Sequence, residues 1–320
     1  MKMGDAENFR KIADEFAAKF NTDILVYDGH ISRPFDDDLI NMCCAKERYD
    51  NVMLFLRTNG GNPHAAYRIS RCLQHRYKSF SVYISDFCKS AGSLLCLGAD
   101  LLIMDPIGEM GPLDIQVQKP DELYEMSSGL NVMNALTITQ AKAYSMLEDF
   151  VLNLKDSTGR QITLKTATDI AAKMAVGLFG KIYEQIDPVN LGEISRSMKI
   201  AEEYGRRLNQ KSGNAKDKAL SRLIADYPAH DFVIDRMEAA ELFENVREPS
   251  SEEAAFCKSL YEFVLTRKLK SRPFVQYVTG PRKRGDTNGK ENRKGAEGTR
   301  QENSGSDSGV GPKVAVGNGK

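Results

Sequence analysis

A chain of 320 residues, 41% hydrophobic and 28% charged, has the makeup of an ordinary globular protein, long enough for one large domain or two small ones. Lysine plus arginine and aspartate plus glutamate balance at 44 each, so no overall field selects nucleic acid or an anionic membrane as partner. The six cysteines (Cys43, Cys44, Cys72, Cys88, Cys96, Cys257) form no C-x-x-C pair and lie mostly in apolar runs, which reads as buried reduced thiols and argues against a metal site or a disulfide framework.

Residues 1–20 alternate charged and apolar positions as an amphipathic helix does, without the apolar core of a signal peptide, so a cytoplasmic protein is expected. Short β-type runs follow at Ile24 to Tyr27 (ILVY), Val52 to Leu56 (VMLFL), Phe80 to Ile84 (FSVYI) and Leu101 to Met104 (LLIM). Between the second and third, Ala66, Ile69 and Leu73 recur at helical spacing over Pro63 to Tyr77, and Pro63 suits the first helical position, where its missing N–H costs nothing. Strand–helix–strand order predicts right-handed βαβ units in a mostly parallel sheet with flanking helices. The apolar stretch from Leu94 to Met104 is interrupted by Gly98 and Asp100 and falls short of the ~20 residues that span a bilayer.

Longer helical patterns cover Ala135 to Leu154, Thr166 to Lys181 and Ile194 to Gln210. A short strand is expected at Phe232 to Ile234, ahead of a final helical region. The expected organisation is an N-terminal helical segment over 1–20, a main α/β domain over 21–250, a helical extension over 251–278 and a tail over 279–320. The tail is rich in Gly, Ser, Asn, Lys and Arg and too poor in bulky apolar residues to offset its ordering entropy, so it is expected to be disordered. Arg282-Lys283-Arg284 reads as a solvated charge run.

Two glycine-containing turns carry the chemistry. Arg57-Thr58-Asn59-Gly60-Gly61-Asn62-Pro63 follows VMLFL, and its paired glycines expose N–H groups beside a helix start, where a developing oxyanion can bind. Asp86-Phe87-Cys88-Lys89-Ser90-Ala91-Gly92-Ser93 follows FSVYI and sets a serine at a strand-to-helix turn among small residues. The next helix, SLLCLGA, is apolar nearly all round and should be buried, anchoring that serine on a rigid element. By itself Ser90 could equally be a helix cap.

Taken in order, TNGG, SAGSLLCLGAD and LLIMDPIGEMGPLDIQ resemble the ClpP/crotonase-like superfamily, and within it the serine dehydrogenase proteinase family, relatives of signal peptide peptidase A. Thr58-Asn59-Gly60-Gly61 matches a T-P-G-G-like turn and Ser90-Ala91-Gly92 a nucleophile turn. Gly98-Ala99-Asp100 and Gly111-Pro112-Leu113-Asp114-Ile115-Gln116 match the G-A-D and G-P-x-D-x-Q motifs, and Tyr227 to Asp235 a histidine-containing segment. The resemblance implies a ClpP/crotonase-like βαβ superhelix and a serine peptidase acting through an acyl-enzyme, with no cofactor and no metal. It implies Ser90 as nucleophile, the N–H groups of Gly60, Gly61 and Ala91 as oxyanion hole, and Gly92 and Asp114 as supporting residues. Asn59 departs from the usual proline, and Asp114-Ile115-Gln116 stands where ClpP keeps its base histidine, so a ClpP triad is not expected.

The base is left open between two residues. Lys142, flanked by Ala141 and Ala143, lies at a separation like that of the lysine base in signal peptide peptidase A relatives, and it would have to be buried to work. His230, with Asp231 or Asp235 to orient it, needs no such burial. His64 ranks third. The expected partners are a peptide or protein substrate lying extended beside the glycine turn and further copies of the chain in a homo-oligomer; nucleic acid and a membrane span are not expected. With no G-x-x-x-x-G-K-[ST] motif, any unfolding of substrates falls to a separate protein. The competing readings are a crotonase-type thioester enzyme, which would want acid–base carboxylates, and a catalytically inactive assembly or binding subunit.

Overall fold

The four apolar runs become neighbouring strands of one sheet. The computed structural model describes residues 3–44, 49–113, 116–118, 126–268 and 272–279. In it the chain enters through helix α1 (Met3–Phe20), then β1 (Thr22–Asp28), α2 (Phe35–Cys44), β2 (Asn51–Arg57), α3 (Pro63–Arg76) and β3 (Ser79–Ile84). A short strand β4 (Phe87–Cys88) leads into α4 (Ala91–Cys96), β5 (Leu101–Met104) and β6 (Glu109–Met110). A two-stranded antiparallel unit, β7 (Gln116–Gln118) with β8 (Met126–Ser128), precedes the long helices α5 (Gly129–Ser157), α6 (Leu164–Tyr183) and α7 (Pro188–Ser212). The chain closes with α8 (Ala219–Ala225), α9 (Arg236–Leu242), β9 (Val246–Arg247), α10 (Ser251–Leu265) and β10 (Phe274–Tyr277).

The main sheet runs β10-β1-β2-β3-β5-β9, parallel throughout except for the antiparallel edge strand β10. This is the mixed α/β architecture, mostly parallel sheet with flanking helices, that the strand–helix alternation predicts. Both faces are covered, so the centres of β1 (24–27) and β2 (52–56) and all of β5 are apolar without interruption. Leu25, Tyr27, Leu54 and Leu56 face one cluster with Ile69, Leu73, Leu94 and Leu95 from α3 and α4. Ile24, Val26, Met53 and Phe55 face the other, where Phe9 stacks on Phe263 (4.1 Å) and Phe16 on Phe256 (4.2 Å) between α1 and α10. Each such fully buried side chain stabilises the fold by roughly 1.5–3 kcal/mol relative to exposure.

Pro63 is the first residue of α3, and Asn62 caps that helix by accepting from the amides of His64 (2.9 Å) and Ala65 (3.1 Å). Helix α4 (AGSLLC) takes in only the first four residues of the SLLCLGA segment, Ser93 to Cys96, and is buried throughout. Two expectations need correction. Phe232 to Ile234 is not a strand of the main sheet: Ile234 makes a single antiparallel bridge to Met110, and Asp235 then starts α9 by capping Glu238 N–H at 2.9 Å. The helical extension expected over 251–278 holds α10 but also β10, which extends the sheet beyond β1. Residues 280–320, expected as a tail, lie outside the described residues. Among the described residues, no helix is long and apolar enough to cross a membrane.

Candidate active site

The two glycine-containing turns meet. Thr58 forms a parallel bridge with Cys88, its amide donating to the Phe87 carbonyl (2.9 Å) and its carbonyl accepting from Lys89 N–H (2.9 Å). This bridge extends the β2 side of the sheet into β4 and carries Gly60 against Ser90. A Cβ placed on Gly60 would stand 2.8 Å from Ser90 Cβ and 3.1 Å from the Lys89 carbonyl oxygen. Gly60 (φ 105°) and Gly61 (φ 139°) both adopt backbone that side chains disfavour, and a Cβ on Gly61 would collide with the Ile31 carbonyl oxygen at 2.1 Å.

Ser90 occupies the N-cap position of α4 with φ 50° and ψ −113°, and its side chain makes no capping hydrogen bond. A simple cap would have extended backbone and an Oγ accepting from the first-turn amides. Non-glycine residues hold such strained backbone at a cost of order 1–3 kcal/mol, and they cluster at functional sites. A strained serine on a strand-to-helix turn is the geometry that presents a nucleophilic hydroxyl.

The turn is braced from below. Gly92 packs so tightly that a Cβ there would meet Thr58 Cγ2 at 2.6 Å and Cys88 Sγ at 2.8 Å. The buried Ser93 hydroxyl lies between the carbonyls of Gly111 (2.6 Å) and Cys88 (3.1 Å), tying α4 to the G-P motif. Lys89 is buried beside the serine, its Nζ 2.9 Å from Glu109 Oε1 and within hydrogen-bonding reach of the carbonyls of Met110 (3.2 Å) and Phe232 (3.3 Å). With the paired hydrogen bonds between Met110 and Ile234 (2.9 and 3.0 Å), Lys89 latches the His230 loop to the Ser90 turn.

A cavity of about 630 Å³ opens over Ser90. Gly61 and Ala91 line it, as do Ser197, Ile200 and Ala201 of α7. Three of the chain's four histidines, His30, His64 and His230, line the same cavity. His64 Nδ1 is 2.8 Å from the Tyr204 hydroxyl, and Tyr204 stacks on Tyr67 at 4.1 Å. Among the described residues no carboxylate lines it.

The sequence-predicted residues divide accordingly. Ser90, Gly61, Ala91 and His230 are brought together. Gly60 supports the site from behind: its N–H donates to Thr58 Oγ1 at 2.9 Å, so that amide is used inside the turn. Lys142 is exposed on α5 and is not among the cavity-lining residues, whereas a lysine base has to be desolvated. Asp235 is engaged as the α9 cap and Asp231 is exposed. Asp114 lies outside the described residues. The bracing roles of Lys89, Ser93 and Thr58 escape sequence reading, because each depends on which carbonyl the fold brings within reach. Among the described residues, no group of His, Cys, Asp and Glu could hold a metal ion.

No protein-family model matches the chain. Over 140 residues it is 30% identical to an uncharacterized protein of Methanocaldococcus jannaschii, covering 41% of this chain and 47% of the other; the chain thus spans about half the length of the curated relative it matches. Among solved structures, the chain is similar to a serine-to-alanine mutant of the 1510-N membrane-bound stomatin-specific protease, with TM-score 0.30, 17% identity and coverage of 46% of this chain and 68% of that one. A lysine-to-alanine mutant of the same protease, in complex with a substrate peptide, gives TM-score 0.43 and 14% identity over 82% of this chain and 89% of that one.

Proposed function

We propose that this protein is a serine peptidase that forms an acyl-enzyme at Ser90, with His230 as its general base. The observation that carries the reading is the strained, non-capping Ser90, held against Gly60 at the floor of a histidine-lined cavity. Ser90 Oγ attacks the scissile carbonyl carbon while His230 accepts its proton. The amides of Gly61 and Ala91, both at the cavity wall, receive the developing oxyanion. The imidazolium then protonates the leaving amine, and water attacks the ester with His230 again as base. The substrate lies extended beside the Gly60–Gly61 turn, where backbone pairing supplies affinity.

His230 is preferred because its loop is fastened to the residue preceding Ser90 through Lys89 and Phe232. One further observation favours His64 as a second reading, since the Tyr204 hydroxyl orients its ring as a third group orients a catalytic base. The absence of a carboxylate among the described lining residues supports peptidase over crotonase-type thioester chemistry. Association between copies is part of the proposal, through the apolar side chains that α5 and α6 expose, among them Ile138, Tyr144, Leu152 and Val176.

An activated p-nitrophenyl ester tests the reading. Burst release of nitrophenol with an acyl adduct on the Ser90 peptide is the expected result. Thioester turnover that survives Ser90→Ala would show crotonase chemistry instead, and a folded protein with no turnover of either kind would leave an assembly role.

A further inference from the structure

We infer that the cavity between α10 and the carboxyl ends of β2, β3 and β5 is a binding site for a small zwitterion, a free α-amino acid. This cavity is separate from the one over Ser90, and its ligand is independent of the role of Ser90.

The register of the sheet builds it. Phe55, Tyr83 and Ile103 are register partners on the face of the sheet that α10 covers. Side chains alternate between faces, so the residues two positions on, Arg57, Ser85 and Asp105, belong to the same face. The apolar columns under α10 thus end in a polar row, at the strand ends where open α/β sheets take their ligands. Helix α10 adds Lys258 and Tyr261, and the space left is about 270 Å³. That is just below the ~300–1,000 Å³ of sites for drug-sized ligands, so the occupant is small.

Arg57 and Lys258 face Asp86 and Asp105 across the lining, so its formal charge is zero. These groups do not satisfy one another by contact. Arg57 gives Nε and Nη2 to Asp28 (3.1 and 2.7 Å), and its central carbon lies 4.6 Å from the Tyr261 ring centroid. Its third nitrogen, Nη1, is 3.9 Å from Asp86 Oδ2, beyond hydrogen-bond length. Lys258 is exposed, with no ion pair among the described residues. Asp105 accepts from the Tyr83 hydroxyl (3.1 Å), and burial raises its carboxyl above the ordinary value with no cation to offset it. The Tyr261 oxygen is buried without a hydrogen bond of normal geometry, although Ser85 lies beside it.

A lone anion would meet the two carboxylates here, and a metal ion the two cations. An α-amino acid answers both signs. Its carboxylate accepts from Arg57 Nη1 and the Lys258 amine, and its ammonium donates to Asp86 and Asp105. The ammonium supplies the cation that the Asp105 carboxyl lacks. Ile107, an exposed aliphatic side chain of the lining, offers contact for an aliphatic side chain on the ligand. The cavity over Ser90 has no carboxylate, arginine or lysine among its described lining residues, so it offers no such pairing. Arg57 and Asp86 directly precede Thr58 and Phe87, so the ligand would grip both segments that the Thr58–Cys88 bridge joins.

Isothermal titration of the full chain with L-leucine tests this. Saturable binding at one site per chain is expected. It should weaken about tenfold or more in Lys258→Ala and in Asp86→Asn, both changes at side chains open to solvent, through loss of a charge-assisted hydrogen bond. N-acetyl-L-leucine and L-leucinamide, which each lack one of the two charges, should bind more weakly by a similar factor. His64→Ala, which alters the Ser90 cavity instead, should leave the leucine affinity unchanged. No saturable binding, equal affinity for either blocked leucine, affinity that persists in a natively folded Lys258→Ala or Asp86→Asn, or affinity lost in His64→Ala would overturn the proposal.

Discussion

Gly60 and Ser90 are packed so closely that a single methyl group on the glycine would lie 2.8 Å from the serine Cβ. The contact couples the two turns, and the φ of 105° at Gly60 leaves an added side chain no relaxed alternative. Gly60→Ala is therefore expected to destabilise the protein by about 1–3 kcal/mol through overpacking and to shift Ser90 from its position. Urea unfolding gives the first quantity, and the rate of Ser90 acylation the second. Acylation should fall by about tenfold or more, since small misplacements of a nucleophile cost heavily.

Removal of the base separates the candidate residues. His230→Ala should lower the acylation rate by about 10²–10⁴-fold, the range of general base catalysis. Lys142→Ala, a change at an exposed position on α5, should stay within about twofold of the native rate and within about 0.5 kcal/mol of native stability. Steady-state ester hydrolysis of both variants decides the matter. If the loss appears instead in His64→Ala, the Tyr204-oriented histidine is the base.

Lys89 is a positioning residue, since its amine is occupied by Glu109 and two carbonyls. Lys89→Met leaves Glu109 without its cation and frees the His230 loop, with an expected stability loss of about 2–5 kcal/mol. The kcat for ester hydrolysis should fall while KM changes little. The pH–rate profile should also shift as the loop histidine changes surroundings, which a purely structural loss would not produce.

How far the site was legible in the sequence follows from the range of the interactions involved. Strands β1, β2, β3 and β5 and helix α3 announce themselves through continuous apolar runs, helical spacing and Pro63, all local signals. The pairing of TNGG with SAG was readable as a sequence pattern because both turns end adjacent parallel strands. The segment Phe232 to Ile234 misled, because an apolar triplet reads alike whether it joins a sheet or makes one bridge to Met110. The strand β10 was missed because its partner β1 lies at the other end of the chain. The Gly60 amide looked available until the fold turned it onto Thr58 Oγ1, and Lys142 looked promising from spacing alone.

Acid sensitivity is built into the start of α10. Burial works to raise the Glu253 carboxyl, but the two-pronged Arg247 contact (2.7 and 2.8 Å) and the Ser250 amide outweigh it and hold the group below its ordinary 4.5. A depressed carboxylate contributes stability that is present above its unfolded value and lost as pH falls through the folded one. Wild-type stability should therefore exceed that of Glu253→Gln at pH 7, with the gap closing progressively below about pH 4.5. Urea midpoints of both proteins across that range provide the check.

Labelling with a fluorophosphonate tests the central claim most directly, because the reagent phosphonylates an activated serine whatever its natural substrate. One adduct per chain on the peptide that contains Ser90, absent in a folded Ser90→Ala variant and strongly slowed in His230→Ala, is the predicted result. A natively folded wild-type protein that takes up no label, or takes it up at another residue, would contradict the assignment of Ser90 as nucleophile.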